Sequence, residues 1–158
     1  MAIPLADPAT ARTEHPWTGG THRVGPEPCA LCQAIVTVRH GGNQELGRCG
    51  EDVARDYLEH LGFEVLDRNW RGRDGEIDIV ALDPAGALVI VEVKARRGLG
   101  FGSPAQAVTH AKYQRLRRLA AQWVEAHRVR APEIRIDVLG VVFGPHRVEV
   151  EHLEGVFR

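Results

Sequence analysis

Three acidic residues and a lysine interrupt the most apolar stretch of the chain, GEIDIVALDPAGALVIVEVKAR, at residues 75–96. The charged residues are Glu76, Asp78, Glu92 and Lys94, set among valines and isoleucines. A buried charge is costly unless an opposite charge or a metal ion compensates it. Carboxylates that share one face with a lysine are suited to holding a divalent metal against a phosphodiester. The stretch therefore indicates either a metal–phosphate site or a set of structural salt bridges.

The turn at residues 83–86, Asp-Pro-Ala-Gly, decides which of these side chains face each other. Asp followed by Pro favours a type I turn, and a glycine in the third loop position suits the left-handed bulge of a three-residue hairpin. Such a loop puts Asp78 directly opposite Glu92, with Cβ atoms about 4.5–5.5 Å apart. It also puts Glu76 opposite Lys94. We predict the three-residue loop, because a two-residue loop would move the two acids to opposite faces.

Asp78 and Glu92 would repel each other at this separation unless a proton or a cation lay between them. Hard oxygen ligands suit Mg²⁺ (or Mn²⁺), which can stabilise the charge on a phosphodiester and lower the pKa of bound water. Lys94 would lie beside Glu92, where its ammonium could orient the attacking water or stabilise developing negative charge. The chain has 20 Lys plus Arg, of which Lys94 and Lys112 alone are lysines. A lysine inside a buried strand therefore indicates a chemical role.

The alternative for this stretch is structural. Glu76 or Asp78 would then form salt bridges with Lys94, Arg96 or Arg97. Three acids and a lysine that converge on one face favour the metal–phosphate site over this alternative.

The pattern of apolar residues predicts seven elements in the order αβββαββ. The predicted helices are 50–61 and 103–127, and the predicted strands are 63–70, 76–82, 87–95, 133–143 and 147–153. Apolar residues of the first helix recur at helical spacing, namely Val53, Ala54, Tyr57, Leu58 and Leu61. β-branched residues dominate the strands. Ser103 and Pro104 suit the N-cap and the first position of the second helix. We therefore predict one α/β domain over residues 47–158.

Residues 1–46 differ in composition from the rest of the chain. They contain five prolines and no long periodic apolar pattern, so we predict a flexible, mostly disordered N-terminal arm. Cys29 and Cys32 form a CxxC pair, but the neighbouring spacing matches no zinc finger, and zinc binding is not favoured. The chain has no run of about 20 apolar residues and no signal-peptide pattern, so we expect a cytoplasmic protein that does not enter a membrane.

The charge distribution is more informative than the net charge of −1. Seven basic residues lie between Lys94 and Arg118, and no Asp or Glu occurs between Glu92 and Glu125. A local cationic segment can bind a polyanion even in a neutral molecule, although a solvated helix face is the simpler explanation. The candidate nucleic-acid contacts are Arg71, Arg73, Arg96, Arg97, Lys112 and Arg115.

For three other polar residues, the sequence predicts a role less specifically. Gln114 and His110 on the second predicted helix could reach the site. Asp137 could support the site from behind, but a structural pair with Arg135 or Arg147 is the favoured interpretation.

Several motifs resemble those of a known superfamily and of one family. Asp78 followed by Glu92-Val93-Lys94 resembles the D-…-ExK core of the restriction-endonuclease-like, PD-(D/E)XK nucleases, although Ile77 stands where the motif usually has proline. A longer set of motifs over residues 47–158 resembles the YraN family of bacterial proteins. These motifs are Gly50-Glu51, Asn69, GEIDIVA, VEVKAR, Phe101-Gly102, RIDVLGV and HLEGVF. The resemblance implies a mixed central sheet flanked by helices, similar to archaeal Holliday-junction resolvases.

The resemblance also implies roles for single residues. Asp78 and Glu92 would ligate the metal, with the backbone carbonyl of Val93 as a third ligand. Lys94 would be the catalytic lysine. Glu51 would correspond to the helix acid that the resolvases add to their site, whereas its position alone is equally explained by the helix dipole.

The expected function is Mg²⁺-dependent endonucleolytic hydrolysis of nucleic acid, with DNA favoured, including branched repair or recombination intermediates. The alternative is a nucleic-acid-binding protein of the same fold that does not cut. A zinc-dependent adaptor built on the arm is a third and weaker hypothesis. Symmetric cutting of two strands would call for a homodimer.

Overall fold

The computed structural model describes residues 38–98, 108–144 and 148–157. Residues 38–40 are helical and precede the first long element. In chain order, the elements are α1 (Asn43–His60), β1 (Glu64–Gly72), β2 (Gly75–Leu82), β3 (Leu88–Arg97), α2 (His110–His127), β4 (Ile134–Phe143) and β5 (Val148–Leu153). Within the described ranges, no helix is long and apolar enough to cross a membrane.

The five described strands form one mixed sheet in the order β1-β2-β3-β4-β5. The pair β3 and β4 is parallel, and the other neighbouring pairs are antiparallel. Parallel neighbours need a long crossover, and α2 lies in that connection. One face of the sheet packs against α1 and the other against α2. The predicted α/β fold, a mixed central sheet flanked by helices in the order αβββαββ, is confirmed.

Alternating side chains of the strands fill two separate cores. The core under α1 includes Val53, Leu58, Ile79, Val91 and Leu139. The core under α2 includes Ile77, Val80, Ile90, Leu116 and Trp123. Strand β3 is covered on both faces, which explains its almost continuous apolar sequence. A charged residue in its buried part needs a specific explanation.

The hairpin between β2 and β3 has the predicted three-residue loop. Asp83 donates its N–H to the carbonyl of Ala87 (3.0 Å), and Gly86 donates to the carbonyl of Asp83 (2.9 Å). Gly86 has φ +88°, a left-handed conformation that glycine adopts without strain. The register follows from this loop, with Ile79 opposite Val91.

The described backbone pairing of β2 with β3 ends at Ile79–Val91, before the acids. Beyond this point the side chain of Asp78, at Oδ2, accepts the Val93 N–H at 2.7 Å. The prediction that Glu76 faces Lys94 is therefore wrong. Glu76 pairs instead with Arg71 across β1–β2, with 3.0 Å between Arg71 Nε and Glu76 Oε2.

Both helices begin at positions other than those predicted. Helix α1 begins at Asn43, and buried Leu46 belongs to its core, so the predicted boundary between residues 46 and 47 falls inside the helix. Helix α2 begins after Thr109, whose side chain accepts the N–H of Lys112 at 3.2 Å and so caps the helix. The predicted cap, Ser103-Pro104, lies outside the described residues, as does the arm up to residue 37.

Asp137 is a fully buried acid on the α1 face of β4, and its carboxylate is completely paired. It accepts hydrogen bonds from the Arg135 guanidinium (2.9 to 3.2 Å), from His152 Nε2 (2.9 Å) and from the N–H of Gly155 (2.9 Å). The predicted structural pair with Arg135 is confirmed. Burial alone would raise the pKa of Asp137, but these hydrogen bonds outweigh it and lower the pKa.

Replacing Gly50 tests how closely α1 must approach the sheet. A Cβ at residue 50 would overlap the Cβ of Ala95 on β3, whereas a Cβ at Gly47 meets open space. We expect Gly50→Ala to lower the free energy of unfolding by about 1–3 kcal/mol through overpacking. Gly47→Ala in the same helix should raise it by about 0.5–1 kcal/mol. Urea denaturation of both variants checks this, and equal effects at the two positions would contradict it.

The paired carboxylate of Asp137 predicts acid sensitivity. Because its folded-state pKa is lowered, its stabilising contribution is complete above its unfolded-state pKa of about 3.9 and is lost as the pH falls through the folded value. Asp137→Asn should lower the free energy of unfolding by about 1–3 kcal/mol at pH 7, because the donors of Arg135, His152 and Gly155 lose a charged acceptor, although Arg135 keeps its ion pair with Asp83 at 2.8 Å. The difference from wild type should shrink below about pH 4. Urea denaturation between pH 7 and pH 3 measures it, and a variant as stable as wild type at pH 7 would refute the assignment.

Candidate functional site

Two carboxylates come within electrostatic range of each other where β2 and β3 separate. Asp78 extends from β2 and binds the backbone N–H of Val93, while Glu92 extends from the buried part of β3. Burial raises the pKa of Asp78 to about 7, with a further increase from the nearby charge of Glu92 and a smaller one from Glu51. The hydrogen bond from Val93 and the charge of Lys112 act in the opposite direction. Glu92 is therefore near enough to disfavour ionisation of Asp78.

Glu92 is almost completely buried, with a side chain 3% exposed. Its Oε1 contacts two ammonium groups, Lys94 Nζ at 2.6 Å and Lys112 Nζ at 2.8 Å. Its Oε2 is buried and has no hydrogen-bond partner within the described part of the chain. Buried carboxylate oxygens are normally satisfied. One oxygen of Glu92 is thus doubly bound and the other has no partner there.

Both lysines of the chain are used at this one oxygen. Lys94 follows Glu92 by two residues on β3, so strand alternation puts it on the same face. Lys112 comes from the first turn of α2, and its backbone is fixed by the Thr109 cap. From sequence alone, Lys112 is a candidate phosphate contact with no predicted link to Glu92. The rarity of lysine was the available signal, but it was applied to Lys94 alone.

Glu51 lies in α1, half-buried, and its charge contributes to the raised pKa of Asp78. Its approach depends on Gly50, which allows α1 to lie close to Ala95 of β3. Among residues 38–98, 108–144 and 148–157, no three His, Cys, Asp or Glu side chains are close enough to form a metal site. Asp78 and Glu92 are thus the acids that could hold a cation in this arrangement, with Glu51 near but not joined to them.

The predicted arginines are dispersed around the site. Arg71 is bound to Glu76, and the N–H of Arg73 donates to Gln122 Oε1 at 2.8 Å. Both arginines line a cavity of about 390 Å³ at the turn between β1 and β2. Their guanidinium groups belong to this turn and not to the pair of acids.

The remaining cations lie along β3 and α2. Arg96 and Arg97 line a cavity of about 530 Å³ at the end of β3. The guanidinium of Arg97 donates to the backbone carbonyls of Val38 (2.9 Å) and Gly41. Arg115 lies beside Gly75, and its buried Nε has no hydrogen-bond partner among the residues that are described.

Gln114 and His110 face each other on the exposed surface of α2, with 3.4 Å between Nε2 atoms. The CxxC pair of Cys29 and Cys32 lies outside the described residues. The expectation that this pair does not bind zinc remains a prediction from sequence alone.

The raised pKa of Asp78 predicts the pH dependence of stability in metal-free protein. Between its unfolded-state pKa of about 3.9 and its folded value, the folded protein binds more protons than the unfolded chain, so stability falls as the pH rises. Asp78→Asn removes the free-energy cost of ionising a buried carboxyl. We expect the variant to gain about 4 kcal/mol in free energy of unfolding at pH 8, and less than about 1 kcal/mol near pH 4. Urea denaturation in EDTA at pH 8 and pH 4 measures the difference in free energy of unfolding between the variant and wild type. An equal difference at the two pH values would contradict the raised pKa of Asp78.

Comparison with known proteins gives a consistent family. A family model described as "Uncharacterised protein family UPF0102" matches residues 50–141, a segment that contains both acids and both lysines. A UPF0102 protein of Nocardia farcinica is 46% identical over 128 residues, which cover 80% of this chain and 100% of the relative. A UPF0102 protein of Mycolicibacterium smegmatis is 53% identical over 114 residues, which cover 71% of this chain and 92% of the relative.

Among solved structures, SfsA of Pyrococcus furiosus in complex with Ca²⁺ matches with 13% identity and a TM-score of 0.28, over 70% of this chain and 63% of that chain. This score is too low to support any statement about fold or function. The sequence relatives, by contrast, are similar over nearly their full length. The chain therefore belongs to the UPF0102 family, in agreement with the resemblance seen in its motifs.

Proposed function

We propose that this protein is a metal-dependent endonuclease that hydrolyses phosphodiester bonds in nucleic acid, with DNA as the favoured substrate. The observation that carries the proposal is the buried carboxylate of Glu92. Its Oε1 contacts two ammonium groups, whereas Oε2 lacks a hydrogen-bond partner in the described ranges. A purely structural salt bridge is expected to satisfy both oxygens, since a buried polar atom without a partner costs about 1–3 kcal/mol. A free oxygen beside a second acid, Asp78, suits a site that takes up a cation.

Mg²⁺ or Mn²⁺ fits these donors because both ions prefer carboxylate and carbonyl oxygens. Asp78 and Glu92 would hold the ion, with the carbonyl of Val93 and the carboxylate of Glu51 as further donors. When bound, the ion would draw negative charge from the phosphodiester and favour ionisation of the attacking water.

Lys94 would act directly on the substrate. Its stem lies on a central strand, and its side chain is 33% exposed, so the ammonium borders both Glu92 and solvent. From there it would orient the attacking water or donate a hydrogen bond to a phosphate oxygen as negative charge develops. In the net reaction, the hydroxyl of water adds to phosphorus and the leaving oxygen gains the proton.

Binding of a polyanion is supported by the charge distribution of the segment that contains the site. From Glu92 to Glu125 the sequence has seven basic residues and no acid in between. Arg71, Arg73, Arg96 and Arg115 are candidate phosphate contacts. Arg97 is less suited, because its guanidinium already binds two backbone carbonyls. Symmetric cutting of a duplex would require a homodimer.

A second candidate function is nucleic-acid binding without cleavage, in recombination or repair. The observation that favours it is that no group of three metal-ligating side chains occurs in the part of the chain that the structure describes. In this candidate, the two lysines serve to neutralise Glu92, and the cationic segment does the binding.

The test is a cleavage assay on end-labelled single-stranded, duplex, flap and four-way-junction DNA and on structured RNA, in Mg²⁺, Mn²⁺ or EDTA. Wild type should cut at least one substrate when metal is present and none in EDTA. Asp78→Asn, Glu92→Gln and Lys94→Met should each reduce the cleavage rate by about 100-fold or more, because each removes a group that would contact the ion, the water or the phosphate.

The matched control is Asp52→Asn. Asp52 follows Glu51 in α1, is exposed and pairs with Arg68 at 2.7 Å, away from both acids of the site. This variant should cut at a rate within about twofold of wild type, since exposed ion pairs contribute little. The second candidate would be supported instead if wild type bound one substrate in a gel-shift assay without cutting any, and if Asp78→Asn bound that substrate as tightly as wild type.

A further inference from the structure

The contact between Lys112 and Glu92 is not explained by the proposed reaction. A single lysine, Lys94, is sufficient for the role assigned above, yet Lys112 approaches the same oxygen at 2.8 Å. Lys112 is not held there by chain proximity, because it lies 20 residues further along and on a different element. The chain uses arginine for almost every other cation, so the choice of lysine at both positions calls for a common reason.

The net charge of the acids and lysines indicates that Lys112 neutralises a carboxylate in the metal-free protein. With Asp78, Glu92 and Glu51 ionised, three negative charges face two ammonium groups. A divalent cation added between the acids would leave a surplus of one positive charge in a half-buried site. Such a surplus is unfavourable unless an anion enters or an ammonium moves away.

Lys112 is the ammonium that the proposed reaction leaves free to move, because Lys94 is already assigned to the attacking water and the phosphate. Lys94 lies two residues after Glu92 on the same strand, where the backbone of β3 pairs with Gly140 of β4. Lys112 reaches Glu92 with its whole side chain from the first turn of α2, and it is 22% exposed. A lysine stem has four rotatable bonds, so its ammonium can turn toward solvent without displacement of the helix.

We propose that Lys112 is an exchangeable counter-ion of Glu92: it neutralises the carboxylate before metal binds, and it transfers to a phosphate of the nucleic acid when metal occupies the site. This inference rests on the proposed function. Its consequence is that metal and nucleic acid bind cooperatively, each favouring the other by the same factor. Metal alone binds weakly, because it must compete with an ammonium ion for Glu92.

The test measures Mn²⁺ affinity by titration calorimetry, with and without a hairpin DNA whose linkages are phosphorothioates, which keep the negative charge. In wild type, the DNA should raise Mn²⁺ affinity. Lys112→Met should raise the Mn²⁺ affinity of the DNA-free protein by about tenfold, since the positive charge that competes with the metal for Glu92 is removed. The same variant should lose most of the increase that DNA produces, because Lys112 is no longer available to the phosphate.

Three further variants make the result specific. Lys112→Gln serves if Lys112→Met does not fold, and it should show the same direction of change. Lys112→Arg keeps the charge and should leave the Mn²⁺ affinity below that of Lys112→Met. Arg118→Gln removes one exposed positive charge from the same helix, where Arg118 faces Asp74 at 3.5 Å, and should change Mn²⁺ affinity by less than about twofold.

The outcomes separate this inference from the proposed function. If wild type does not bind Mn²⁺, or if Glu92→Gln binds it equally well, the proposed metal site fails and this inference fails with it. If Glu92→Gln abolishes Mn²⁺ binding but a folded Lys112→Met binds Mn²⁺ as wild type does or more weakly, then Lys112 is a fixed structural partner. In that case the exchange is refuted and the metal site stands.

Discussion

The buried carboxylate of Glu92 is the constraint on which the rest of the site depends. It projects from a strand covered on both faces, where a charge without compensation would be too costly to keep. The surrounding elements supply the compensation: β3 itself provides Lys94, and α2 provides Lys112. The hairpin register brings Asp78 to the same point, and Gly50 lets α1 bring Glu51 within electrostatic range.

A second buried acid shows what a purely structural carboxylate looks like in this protein. Asp137 lies on the opposite face of the sheet, and both of its oxygens accept hydrogen bonds from Arg135 and from a second donor each. Glu92 is similarly buried, but its carboxylate is paired differently. One oxygen contacts two cations, and the other has no hydrogen-bond partner among the described residues. The contrast argues against treating the two acids as equivalent, because the same sheet is able to satisfy a buried carboxylate fully.

Much of this arrangement follows from local sequence. The loop from Asp83 to Gly86 determines the hairpin register, and that register brings Asp78 and Glu92 together. Both steps can be predicted, because the type of a turn and the alternation of a strand depend on neighbouring residues. The order of strands and helices also follows from the periodicity of apolar residues. The start of α1 does not, because the four residues before Gly47 form helix by packing Leu46 into a core that only the folded chain creates.

Two features of the site required the three-dimensional structure. Glu76 was expected to face Lys94, but the side chain of Asp78 takes the backbone N–H of Val93 and the paired ladder stops before Glu76 is reached. Lys112 was placed on a helix surface, because neither the beginning of α2 nor its position over β3 can be derived from periodicity. The distance between Lys112 and Glu92 depends on the crossover from β3 to β4, which is a non-local property of the fold.

The scarcity of lysine gives the site a chemical signature that the rest of the surface lacks. Every side-chain amine of this protein lies on Glu92, while arginine provides the other strong cations. A reagent that modifies amines therefore reacts, among side chains, with the site alone. Reductive methylation with isotope-labelled formaldehyde would introduce one spectroscopic signal from Lys94 and one from Lys112. Whatever enters the site could then be followed through two resonances in an otherwise unlabelled set of side chains.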